Sequence, residues 1–114
     1  MLGFDIGKLC FEGPLEELTK TENCQPAILT VSIAALKALR LHNKKFNPKV
    51  TLGLSLGEYS ALVAAGALAF GDAVRLVRLR GQFTRSATLT GNMFRFAVFV
   101  TPLLHGIHFQ VAGK

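Results

Sequence analysis

Five residues, Gly53-Leu54-Ser55-Leu56-Gly57, constrain this chain more than any other segment. Val50 to Leu54 before them reads as a strand, and the alanine-rich stretch from Glu58 onward reads as a helix. A strand, one serine in a sharp turn and a helix form the layout of a nucleophile elbow, in which glycines two before and two after the serine allow the tight turn. The turn strains the backbone, and side chains at the flanking positions are expected to collide with the adjoining strand and helix. This layout projects Ser55 Oγ out of the fold above a helix N-terminus, and the N–H of Leu56 points to where an oxyanion would form. The competing reading is a serine in an ordinary glycine-rich turn.

A second segment places a cation. With Asp72 as N-cap, the pattern predicts a helix from Ala73 to about Arg85. At 100° per residue, Arg75, Arg78, Gln82 and Arg85 share one face, a solvated surface by composition. Arg80 falls opposite, among Ala73, Leu76, Val77 and Thr84. A guanidinium on an apolar face is costly unless it meets an anion, so Arg80 is either an anion-binding group or half of a buried structural ion pair.

The stretch Gly53 to Gly66, the segment Asp72 to Gly81, and upstream Leu2 to Ile6, Glu12-Gly13-Pro14 and Thr21 to Ala27 with Gln25-Pro26-Ala27 together resemble the malonyl-CoA:acyl carrier protein transacylase family. The resemblance covers about residues 2 to 85, in the family's order. It implies an α/β fold: an incomplete three-layer α/β/α hydrolase-like acyltransferase core with a nucleophile elbow, lacking the small ferredoxin-like subdomain. It also implies that Ser55 is the nucleophile, that Leu56 donates its backbone N–H to the oxyanion and that Arg80 binds the malonyl carboxylate. A planar guanidinium takes a carboxylate with two parallel hydrogen bonds, which lysine does not reproduce. Ser55 would accept the malonyl group from malonyl-CoA, and the phosphopantetheine thiol of acyl carrier protein would remove it. Neither a cofactor nor a metal is called for, and the family is expected to be monomeric and cytoplasmic. A polyketide-synthase acyltransferase shares these residues. A serine hydrolase shares the elbow, and a truncated, non-catalytic interaction protein is the third reading.

The family activates its serine with a histidine far downstream, and that general base is expected to be absent from this chain. His42 follows a helix beside Asn43-Lys44-Lys45 and reads as solvated, while His105 and His108 lie in a tail unlike the family's histidine motif. The family's glycine-rich opening loop is likewise expected to precede Met1. Position 54 often carries histidine in the family and is leucine here. Residues 1–93 read as a partial acyltransferase domain and 94–114 as a divergent tail or a shifted frame.

Pro14 opens a short helix over Leu15 to Leu18, and Pro26 opens a longer one from Ala27 to about Leu41, with Lys37 and Arg40 on its wet side. Gln25, at that helix entry, either hydrogen-bonds toward the active-site region or sits on the surface. Weaker strands are predicted near Ala97 to Val100 and Ile107 to Val111. That is too few to complete a parallel sheet covered on both faces, so apolar helix surface is expected to stay exposed.

All seven acidic residues lie at or before Asp72, and the net charge is +6. That suits an acidic carrier protein or the phosphates of coenzyme A. The linear sequence shows no nucleic-acid motif and no compact Lys/Arg cluster, so nucleic acid is not an expected partner. The apolar run near residue 98 is interrupted by Arg95 and Pro102 and is too short to cross a membrane. Cys10 and Cys24 have no metal-site spacing, and reduced thiols are expected.

Overall fold

The computed structural model describes residues 2–88, 97–103 and 106–112. Helices α1 (Ile6–Glu12), α2 (Leu15–Leu18) and α3 (Thr21–His42) lead into strand β1 (Thr51–Leu54). Helices α4 (Leu56–Ala64) and α5 (Phe70–Thr88) follow, and strands β2 (Ala97–Leu103) and β3 (Gly106–Ala112) close the order.

The core is small and mostly helical. Leu29 and Ile33 of α3 meet Ala73, Val74 and Val77 of α5, all buried, and Leu56, Tyr59 and Val63 of α4 pack on their edge. The length and composition of α3 would also satisfy a membrane crossing. Here α3 is the helix around which the core assembles, with Ala27, Leu29 and Ile33 buried.

Several helix boundaries differ from the sequence expectation. Helix α1 was not anticipated; Asp5 caps it, its carboxylate accepting the Lys8 N–H at 3.0 Å. Helix α3 starts at Thr21 rather than after Pro26, which lies inside it and is fully buried. A proline this close to a helix start forfeits only one intrahelical bond, and its ring goes into the core. Helix α5 starts at Phe70, which leaves Asp72 in the first turn bridging Arg75 at 3.3 Å rather than acting as the cap.

The predicted strands are present, and the two weaker ones are longer than expected. They form an antiparallel sheet in the order β1-β2-β3, with Thr51 opposite Val100 and Val100 opposite Phe109. Strand β2 runs through Pro102, opposite Ile107. Pairing with β1 ends at Val100, so among the described residues Pro102 has a neighbouring strand on one side only, where its missing N–H is tolerated. The parallel arrangement and the three layers are not seen among the described residues.

Many large apolar side chains are exposed, as expected of helices without a covering sheet: Phe11, Leu15, Leu41 and Phe83 are each at least 70% exposed. The apolar face assigned to α5 also shifts. Ala73, Val74, Val77 and Gly81 are buried, while Leu76 is exposed. Lys37, Arg40, Lys44, Lys45 and Lys49 all stand exposed around the far end of α3, a basic concentration that the linear reading missed.

Candidate active site

Strand β1 ends at Leu54 and α4 begins at Leu56, so the whole reversal rests on Ser55. Its φ of 59° and ψ of −113° make it the one non-glycine residue with positive φ among those described. Such a conformation costs about 1–3 kcal/mol and persists only where surrounding contacts impose it. Two contacts do so here. The Ser55 N–H donates to Glu58 Oε1 at 3.2 Å, and the Glu58 N–H donates to the Ser55 carbonyl at 3.2 Å. Serine followed three residues later by glutamate is a helix-start signature that can be read in the sequence, and Glu58 was not singled out there.

The two elbow glycines differ. A Cβ on Gly53 would lie 2.0 Å from the Gly57 carbonyl oxygen and 2.1 Å from its carbon, so no side chain fits between β1 and α4. A Cβ on Gly57 would meet nothing within 4 Å among the described residues. The collision expected there is absent because Gly57 faces an open apolar hollow of 540 Å³ between α3, β1 and α4. Ser55, Gln25 and Arg80 do not line that hollow.

Three residues singled out in the sequence come together. Arg80 Nη2 donates to Ser55 Oγ at 2.5 Å, and Arg80 Nη1 donates to Gln25 Oε1 at 2.5 Å. The guanidinium is half-buried and is held by a hydroxyl and an amide. Among the described residues no carboxylate pairs with it, so the buried ion pair expected as the alternative is not seen there. Gln25 sits inside α3 rather than at its entry, yet its Oε1 accepts from Arg80, which in turn donates to Ser55. Leu56, as the first residue of α4, has an N–H with no intrahelical acceptor, beside Ser55. A serine hydroxyl, a forked cation and a free backbone donor together suit an acyl group carrying a second negative group.

The other arginines separate. Arg75 is exposed, as expected, and Arg85 is exposed but bridges Glu22 at 2.8 Å. Arg78 is half-buried rather than fully solvated: its Cζ lies 4.6 Å from the centroid of the Phe4 ring, and its Nη1 is buried with no hydrogen-bond partner among the described residues.

Sequence reasoning missed Gly81. A Cβ there would stand 2.7 Å from Glu22 Cα and 2.8 Å from the Thr21 carbonyl oxygen, so glycine lets α5 touch the start of α3. A glycine inside a helix costs about 1 kcal/mol against alanine, and that cost was the available signal.

His42 ends α3, exposed, with Nδ1 3.1 Å from the Ala38 carbonyl. It follows Gln25 by seventeen helical residues, which puts it about 25 Å from the site end of α3. His105 lies outside the described residues, and His108 is in β3. Cys10 and Cys24 are free thiols. No cluster of three or more metal-ligating side chains occurs among the described residues.

Residues 1–102 match the model of the family described as acyl transferase domain. The malonyl CoA-acyl carrier protein transacylase of Escherichia coli O157:H7 is 50% identical over 90 residues, 79% of this chain and 29% of that protein. The Bacillus subtilis (strain 168) protein of the same name is 55% identical over 86 residues, 75% of this chain and 26% of that protein. Among solved structures, an acyl carrier protein S-malonyltransferase from Vibrio cholerae superposes with a TM-score of 0.71 at 44% identity, covering 75% of this chain and 28% of that one. A malonyl-transacylase in complex with a type II polyketide synthase acyl-carrier protein gives 0.70 at 45% identity, covering 75% and 28%. This chain thus has the α/β acyltransferase fold in part, and it spans less than a third of the length of these relatives.

Proposed function

Because the chain belongs to the acyl transferase domain family, we propose that it carries the malonyl-binding half of a malonyl-CoA:acyl carrier protein transacylase site. Ser55 Oγ attacks the thioester carbonyl of malonyl-CoA. The C–O bond forms, the C–S bond breaks and coenzyme A leaves as thiolate. The N–H of Leu56 receives the developing oxyanion. Arg80 turns its fork from Gln25 and Ser55 to the free carboxylate of the acyl chain, and Gln25 keeps the guanidinium aligned when the site is empty. The phosphopantetheine thiol of acyl carrier protein then attacks the serine ester, releasing Ser55. No cofactor takes part, and the setting is cytoplasmic and monomeric.

The proton leaving Ser55 needs an acceptor, and His42 stands at the wrong end of α3 to be one. The chain is therefore read as a piece of the hydrolase-like three-layer core that binds the acyl donor and turns it over very slowly or not at all. Rapid turnover that Ser55→Ala abolishes would overturn that part of the reading. The observation that carries the proposal is the Arg80 fork touching Ser55 Oγ and Gln25 together. A serine hydrolase has no use for that fork. A polyketide setting does, and the similarity to the transacylase held by a polyketide carrier protein supports it as the second reading.

The test is equilibrium binding of malonyl-CoA against acetyl-CoA. The parent is expected to prefer malonyl-CoA by roughly tenfold or more, the worth of a charge-assisted bidentate pair. Arg80→Ala should erase that preference. Equal affinity for both ligands in the parent, or an Arg80→Ala variant that keeps the preference, would overturn the assignment.

A further inference from the structure

Two polar rungs cross the seam between α3 and α5. One is Gln25 to Arg80, and the other is Glu22 to Arg85, where Nη1 donates to Oε1 at 2.8 Å. Glu22 and Gln25 lie three residues apart on α3 and share a face. Arg80 adjoins Gly81 on α5, and Arg85 stands one turn beyond it. Between the rungs, Gly81 presses on the backbone of Thr21 and Glu22 with no room for a methyl group.

The second rung is more than a surface pair. The Glu22 side chain is only 15% exposed, and its Oε2 is buried without a hydrogen-bond partner, although Arg85 is 70% exposed. A buried carboxylate oxygen is costly, and the cation across the seam offsets that cost. Recognition of a carboxylate by a guanidinium fork also tolerates little error, about half an ångström in position. Rotation or sliding of α5 on α3 would carry Arg80 away from Ser55 before it disturbed the apolar core.

We infer that Glu22, Arg85 and Gly81 are positioning residues: they lock the α3–α5 seam so that Arg80 meets the acyl carboxylate, and so set selectivity for a carboxylated acyl chain. This rests on the reading of Arg80 as the carboxylate-binding group. It concerns residues outside the site itself, and none of the three touches the ligand.

The experiment measures binding of malonyl-CoA and acetyl-CoA to the full chain for the parent, Glu22→Gln, Arg85→Gln, the double reversal Glu22→Arg with Arg85→Glu, and Arg80→Ala as reference. Glu22→Gln is expected to weaken malonyl-CoA binding roughly fivefold, the range of a single ion pair, and to leave acetyl-CoA binding unchanged. The double reversal should recover most of the loss. Arg85→Gln alters an exposed side chain and reports the same effect should the Glu22 variant fail to fold. If Arg80→Ala erases the preference while Glu22→Gln and Arg85→Gln keep it, the inference falls and the assignment of Arg80 stands. If the parent has no preference, the assignment falls and the inference with it. An equal loss for both ligands would mean general loosening of the fold and would also overturn the positioning role.

Discussion

The two ends of α3 carry polar side chains of different chemistry, a carboxylate and amides at one and basic groups at the other, and hold them differently. At the site end, Asn23 is buried and donates to the Glu17 carbonyl at 2.9 Å, Glu22 bridges to α5 and Gln25 accepts from Arg80. At the far end, Lys37, Arg40 and His42 are exposed, and Arg40 Nη2 donates to the Ala64 carbonyl of α4 at 3.1 Å. Polar side chains on the same helix therefore have unequal roles. The difference comes from what packs beside them: α5 and the elbow at one end, solvent at the other.

The elbow is where breaking this contrast should cost most. Gly53→Ala places a methyl group 2.0 Å from a backbone oxygen, and neither β1 nor α4 can yield without moving Ser55. A loss of roughly 3 kcal/mol is expected, at the upper end of overpacking costs. Gly57→Ala, in open space at the start of α4, should change stability by less than about 1 kcal/mol. Chemical denaturation of both variants checks the pair. Equal losses would show that the glycine spacing, rather than the backbone contact at Gly53, is what the turn requires.

A smaller effect sharpens the contrast through pH. Glu22 is held below its ordinary value of 4.5, first by a hydrogen bond from its own backbone N–H, against partial burial, and then by Arg85 and Lys20. A carboxylate with a lowered folded-state pKa contributes stability above the ordinary value, and that contribution is lost as pH falls through the lowered one. The stability gap between the parent and Glu22→Gln should be flat above about pH 5.5 and close below pH 4.5, with a height under about 1 kcal/mol. Urea midpoints from pH 7 to 3 measure it. A gap that persists unchanged at pH 3 would mean that ionised Glu22 contributes nothing at this seam.

The sequence singled out the residues of the candidate site and left the geometry that assembles them obscure. Ser55 stood out because a glycine-flanked serine between strand and helix has few uses, and Arg80 because helical periodicity set it apart from Arg75 and Arg85. Their meeting, 25 residues apart, and the approach of Gln25, 55 residues from Arg80, depend on how α5 crosses α3. No local pattern encodes a crossing. Gly81 governs it, and a single helical glycine reads as a propensity cost until its neighbour is known. Arg78 was misread for a related reason: Phe4, which it covers, is distant in sequence. Pro26 misled because proline marks a helix start statistically, and here the first turn precedes it.

The smallest expected effect lies at the far end and tests the contrast from the other side. His42 is exposed, its one hydrogen-bond contact is local, to the Ala38 carbonyl, and it stands about 25 Å along α3 from Gln25. Among the described residues it makes no hydrogen bond to the elbow or to α5. His42→Ala should therefore change stability by no more than about 0.5 kcal/mol and leave the malonyl-over-acetyl preference as in the parent. The same binding measurement decides it. A lost preference would mean that the two ends of α3 are energetically coupled and that the site reaches along the whole helix. An unchanged one would confine the polar determinants of selectivity to the end where α5 and the elbow meet.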